Sequence, residues 1–139
     1  MITPYWEHFE HEADIGVRGY GNTPAQAFEQ AARAMMAIIA DLSLIQSREL
    51  IELHCSDKDA EVLLTDWLNS LIYQISTRKM LFGDFQVQIR NNLLNAKAWG
   101  EAIDIERHQP AVEIKGATFT ELAVKQVDDH WLAQCVVDV

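Results

Sequence analysis

Two stretches of the chain repeat apolar residues at helical spacing. Phe28, Ala31, Ala32, Met35, Ile38 and Ile39 share one helical face, opened by Thr23 with Pro24 at the first helical position and Gln26 three residues after the cap. This pattern predicts a helix that ends near Asp41, with Met35 and Met36 filling gaps in the core. Leu64, Trp67, Leu68, Leu71, Ile72 and Ile75 form a second such face. Ser56 is its expected cap, Asp59 the reciprocal capping position, and Arg78-Lys79 suit the negative end of the helix dipole. Asp59, Asp66, Ser70 and Tyr73 lie off that face and read as a solvated flank.

Elsewhere the period falls to two. In 49–55, Ile51, Leu53 and Cys55 alternate with Leu50, Glu52 and His54. In 84–90, Phe85, Val87 and Ile89 alternate with Gln86, Gln88 and Arg90. Asn91-Asn92 tolerates positive φ and predicts a hairpin into 93–103, and Asp128-Asp129 predicts a second hairpin near the end of the sequence. Strands joined by short turns are antiparallel. The expected fold class is α+β: a two-layer domain spanning residues 1–139, with a mostly antiparallel sheet and two main helices on one face.

Composition narrows the function classes. With 139 residues, 49% of them hydrophobic, the chain has enough apolar surface for one core and is no candidate for disorder. Its longest unbroken apolar run, Ala34 to Ala40, is far too short to span a membrane, and no secretory signal opens the sequence. Acidic side chains outnumber basic ones 21 to 11, for a formal charge of -10. Such a balance argues against direct grip on a DNA or RNA backbone. Cys55 and Cys135 sit in strand-like runs and read as reduced thiols of a cytoplasmic protein.

Candidate chemistry gathers at two aspartates in apolar company. Asp14 follows Ala13 and precedes Ile15 in a segment that reads as one strand, where it would share a side with His8, Glu10, Glu12 and Gly16. Asp138 lies in the closing run, beside the carboxylate of Val139, and two anionic groups so close repel unless donors or a cation neutralise them. Such hard oxygens suit Ca²⁺, Mg²⁺ or Mn²⁺. Asp14 completes such a site only if the fold joins the first and last strands; hydrated, frayed ends are the plainer alternative. Gly16, Gly19 and Gly21 precede the first helix without phosphate-loop spacing and read as a flexible turn. No catalytic triad or Cys-x-x-Cys pair is present.

Four ordered blocks carry a resemblance: "WEHFEHEADIGVRGYGNTPAQAFEQAARAM", "EVLLTDWLNSLIY", "EIKGATFTEL" and "WLAQCVVDV". Together they resemble the archease family over nearly the whole chain. The resemblance implies a non-catalytic activator of an RtcB-type RNA ligase, which speeds guanylylation of the ligase and supports multiple turnover in tRNA splicing and RNA repair. It implies contact with tRNA or other RNA only through the ligase. It also implies a divalent metal, calcium with magnesium or manganese as alternatives, held by Asp14, Asp138 and Val139. Lys115 matches the lysine of the family's Ile-Lys-Ala-Val-Thr block and would approach a phosphate; a plain edge lysine is the alternative. Gly116-Ala117 and Thr120 depart from the family pattern, which often carries histidine at the latter position. His11 belongs to the opening block and would orient a ligand. Two rival functions are a chaperone-like protein-binding module and a metal-dependent phosphoesterase using Asp14, Asp138 and Lys115.

Overall fold

A computed structural model describes residues 1–139. The chain runs β1 (Tyr5–His11), β2 (Asp14–Gly21), α1 (Pro24–Ile39), a 3-10 turn (Leu42–Leu44), β3 (Glu49–Ser56) and α2 (Ala60–Arg78). It continues through β4 (Met80–Arg90), β5 (Leu93–Ala102), α3 (Ile105–His108), β6 (Gly116–Ala117), β7 (Ala123–Val127) and β8 (His130–Asp138).

Both long helices form where apolar spacing predicts them. Thr23 Oγ1 accepts the Gln26 N–H at 3.1 Å, and the Gln26 side chain reaches back to the Asn22 N–H at 2.8 Å. Asp41 lies beyond α1 and caps the 3-10 turn instead. The start of α2 differs from expectation: Ser56 pairs with Leu93 as the last residue of β3. Asp59 is the cap, accepting the Glu61 N–H at 2.8 Å. Ladder pairing holds Ser56 extended, so the capping role passes to the next short acidic side chain in line.

The α+β class and the antiparallel pairing hold, but the strands divide into two sheets. One has the order β1-β2-β8-β6, with β7 also on β8; the other has the order β3-β5-β4. Asn91 and Asn92 adopt φ of 50° and 66° in the β4–β5 turn, and Asp128 adopts 57° between β7 and β8. The segment read as one strand through Ala13 is itself a hairpin, because Glu12 takes φ 54°. His8 therefore shares no side with Asp14. It sits opposite Val17, and its Nε2 lies 2.7 Å from the Ala34 carbonyl on α1.

One core cluster joins both sheets through the helices. Trp67 is fully buried, donates its indole N–H to the Phe28 carbonyl at 3.1 Å and meets Phe85 edge-on. The glycines of β2 make no turn; their φ values are all negative. They are small because neighbours press on the strand. A Cβ at Gly19 would overlap the backbone of Ala27 and Ala31 in α1, and one at Gly16 would overlap the Phe9 ring. Met35 and Met36 are fully buried, as core gap-fillers should be.

Two carboxylates stitch the layers together, Glu29 half-buried and Glu101 buried. Glu29 on α1 accepts the Val87 N–H at 2.8 Å, satisfying the edge of β4, and burial pushes its carboxyl pKa upward. Glu101 on β5 accepts from Arg107 at 2.6 Å, the Gln46 N–H at 2.7 Å and His108 Nε2 at 3.0 Å. The Asp104 N–H donates to the other ring nitrogen of His108. The Arg107 hydrogen bond, aided by Gln46 and His108 and opposed by burial, brings the Glu101 pKa down to about 2.

Gly19→Ala should cost about 3 kcal/mol in urea unfolding, because the added methyl drives α1 off β2. Glu101→Gln should cost about 2 kcal/mol at neutral pH. Since the Glu101 pKa is depressed when folded, its contribution is complete above about pH 4.5 and lost as pH falls toward about 2. The variant's unfolding free energy should therefore fall less steeply with acid than that of the parent over this range.

Candidate metal centre

The site begins with the register of two central strands. β2 and β8 run antiparallel from Gly21 opposite Trp131 to Ile15 opposite Val137. Asp14 and Asp138 are the next residues along the two strands, one step beyond the last ladder pair, and the same register continued would set them across from each other. Residues directly opposite share a face, with Cβ atoms about 5 Å apart. The Val139 N–H donates to Asp14 Oδ1 at 3.3 Å, so the last residue of the sequence is bonded to the aspartate 125 positions before it. Asp14, Asp138 and Val139 are all half-buried.

Three further residues surround this pair. His11 is the ladder partner of Asp14 across the β1–β2 hairpin. Lys115 is exposed, and its N–H donates to the Asp138 carbonyl at 2.8 Å, immediately before β6 pairs with β8. All five residues singled out from sequence, Asp14, Asp138, Val139, Lys115 and His11, thus meet at one end of the five-stranded sheet. Asn69 on α2 is the neighbour that sequence reasoning missed. Its amide accepts the Ala117 N–H at 2.9 Å and donates to the Ala117 carbonyl at 3.3 Å. A lone asparagine on a polar helix flank carries no periodic signal.

Phe9 and Arg18 cover the strand face next to this end. Gly16 lies next to Asp14 on the same side, and its missing side chain accommodates Phe9 rather than a carboxylate. The Arg18 guanidinium lies 4.2 Å above the Phe9 ring and bonds Glu7 and Gln134, so it is committed along the sheet.

The pattern matches known proteins over nearly its full length. The sequence profile of the archease protein family matches residues 6–139. The chain belongs to the archease family. This archease is 38% identical to the Pyrococcus furiosus protein archease, over 96% of this chain and 98% of that one. It is likewise 38% identical to the Thermococcus gammatolerans protein archease, with the same coverage. A Methanobacterium thermoautotrophicum protein of known solution structure superposes with a TM-score of 0.85 at 32% identity, over 96% of this chain and 98% of that one. The crystal structure of a Thermotoga maritima archease, described as a possible chaperone, shares the fold at a TM-score of 0.63 and 21% identity, over 94% of each chain.

The donor chemistry of the site is hard oxygen. No three His, Cys, Asp or Glu side chains converge anywhere in this archease. The side-chain donors are two aspartates, and any further anionic oxygen comes from the main chain of Val139. Such a set fits an oxygen-seeking cation and offers nothing to a thiophilic one.

The flank of α2 is less plain than a solvated face. Asp66, Asn69, Ser70 and Tyr73 line a cleft against Glu52 and Cys55 of β3. Cys55 Sγ lies 3.3 Å from Ser70 Oγ, and burial raises its thiol pKa. Cys135 is fully buried and its pKa is pushed up to about 12 by burial. Both cysteines are free, and burial disfavours the thiolate of each.

Like charges facing each other across a ladder destabilise it. Asp138→Asn should therefore stabilise the metal-free protein by about 0.5 kcal/mol in urea unfolding at low salt. The gain should shrink in 1 M salt, where a charge pair of this exposure is screened.

Proposed function

We propose that this archease is a metal-binding activator of an RtcB-type RNA ligase, not an enzyme itself. The observation that supports the reading best is the register that, continued one step, would set Asp14 opposite Asp138, with Val139 bonded to Asp14. Asp14, Asp138 and the carboxylate of Val139 would hold a divalent ion, calcium first, with magnesium or manganese as alternatives. A bound ion of this kind supplies positive charge to phosphate oxygens. Lys115, exposed beside Asp138, adds a second positive charge on the same end of the sheet. His11 flanks Asp14 across the hairpin and would orient a ligand there.

The rest of the surface suits a protein partner. A formal charge of -10 disfavours RNA as a direct ligand, so tRNA or other RNA is engaged through the ligase, and neither DNA nor a membrane is a partner. No helix is long and apolar enough to cross a membrane. Two free cysteines that never pair fit the reducing cytoplasm.

Stimulation of the cognate ligase is the deciding measurement. Ligase, GTP and manganese should guanylylate faster with this archease than without it. Asp138→Ala should abolish that stimulation while leaving the circular dichroism spectrum unchanged. Residues added after Val139 should weaken calcium binding, because they convert a carboxylate to a neutral carbonyl. An unchanged guanylylation rate with wild-type protein would sink the activator reading. The description of the Thermotoga maritima relative favours a second reading, a chaperone-like module. Suppressed aggregation of unrelated clients, insensitive to chelator, would support it instead.

A further inference from the structure

Lys115 and Asp138 are brought together by a strand of only two residues. β6 pairs with β8 through Gly116 opposite Asp138 and Ala117 opposite Val137. Bonds from the Lys115 N–H to the Asp138 carbonyl at 2.8 Å and from the Thr118 N–H to the Val136 carbonyl at 3.0 Å extend the ladder on either side. A strand this short is marginal by itself, and its outer edge would leave a peptide N–H and C=O without a strand neighbour. The Ala117 N–H and C=O both turn to α2, where Asn69 Oδ1 accepts from one at 2.9 Å and Asn69 Nδ2 donates to the other at 3.3 Å.

One primary amide thus stands in for the peptide unit of an absent neighbouring strand. Few side chains match this job. An aspartate accepts from the N–H but repels the carbonyl, and a leucine serves neither. Glutamine carries the same amide on a stem one methylene longer, which displaces the amide from the Ala117 peptide and adds a rotatable bond to be ordered. α2 is itself fixed by Trp67, two residues before Asn69, through its bond to Phe28. The position of β6 is therefore referred to the rigid centre of the core rather than to a mobile loop.

We infer that Asn69 is the positioning residue of the acidic centre: its amide closes the free edge of β6 and so fixes Lys115 beside Asp138. Asn69 touches neither a metal ligand's carboxylate nor Lys115's ammonium; it acts through the backbone of β6. The inference deepens the activator reading at the same site, and its metal arm rests on that reading, whereas its backbone arm does not.

Amide hydrogen exchange on the full chain tests the backbone arm. In Asn69→Leu the Lys115 amide should exchange at least about tenfold faster than in wild type, while amides of Val17 and Cys135 in the β2–β8 ladder keep their protection. Asn69→Asp keeps the acceptor and loses the donor, so its Lys115 amide should fall between the two. Calcium titration tests the metal arm: the Kd of Asn69→Leu should rise about tenfold. A Lys115 amide protected as in wild type in both variants overturns the inference, and so does loss of that protection with calcium affinity unchanged. Should wild-type protein bind no calcium, the metal reading fails alone, and the exchange result still decides the role of Asn69.

Discussion

Everything at the acidic end of the larger sheet depends on the antiparallel ladder between β2 and β8. These are central strands of the larger sheet, and they come from opposite ends of the sequence. Closing so long a loop costs about 4 kcal/mol in chain entropy before any local gain. Local contacts between the two strands do not meet this cost alone. It is met by what packs on them: α1 against β2 through Gly19, and Val17, Ala133, Cys135 and Val137 buried beneath the helices. The acidic centre is thus a consequence of global folding, and no fragment containing only one end could form it.

Much of the fold was legible, and the misses share one cause. Helix faces, the α1 cap and two of the turns follow from short-range chemistry: Thr23 and Pro24 before α1, Asn91-Asn92 and Asp128-Asp129 between strands. Periodicity tells which side of a strand is buried, but not which strand lies beside it, so one expected sheet became two. The β1–β2 turn escaped because Glu12 and Ala13 are not turn residues by habit, yet Glu12 accepts φ 54° when both flanking strands pair. The β2 glycines looked like a turn because small residues signal flexibility and close approach alike. Only the packed helix distinguishes the two.

The candidate site was legible in its residue types and illegible in its geometry. Two aspartates among apolar neighbours are anomalous anywhere, which is why Asp14 and Asp138 stood out. Whether they face each other is a matter of register, one step past the pairing of Ile15 with Val137. Asn69 had no such signature. Polar flank residues on helices are common, and the ones that matter are known only by what they touch. The same holds for the half-buried Glu29 and the buried Glu101, whose partners no pattern of charge along the chain discloses.

The buried and half-buried acids of the chain differ in how their charge is met. Glu101 is surrounded by Arg107, Arg48, His108 and a backbone N–H, so its charge is already answered and it serves cohesion. Glu29 is answered by a strand edge. Asp14 receives one N–H, from Val139, and Asp138 has no ion-pair partner among the salt bridges of the chain. Its ladder neighbours contribute backbone bonds, which leave the carboxylate oxygens unengaged. Of the acids compared, Glu101 is the one paired with cations, whereas Asp14 and Asp138 have no ion-pair partner. Like charges held in register by a ladder cannot separate to relieve their repulsion. Water hydrates such half-buried carboxylates in the free protein, and a small cation with affinity for hard oxygen is the ligand class that the proposed function assigns to them.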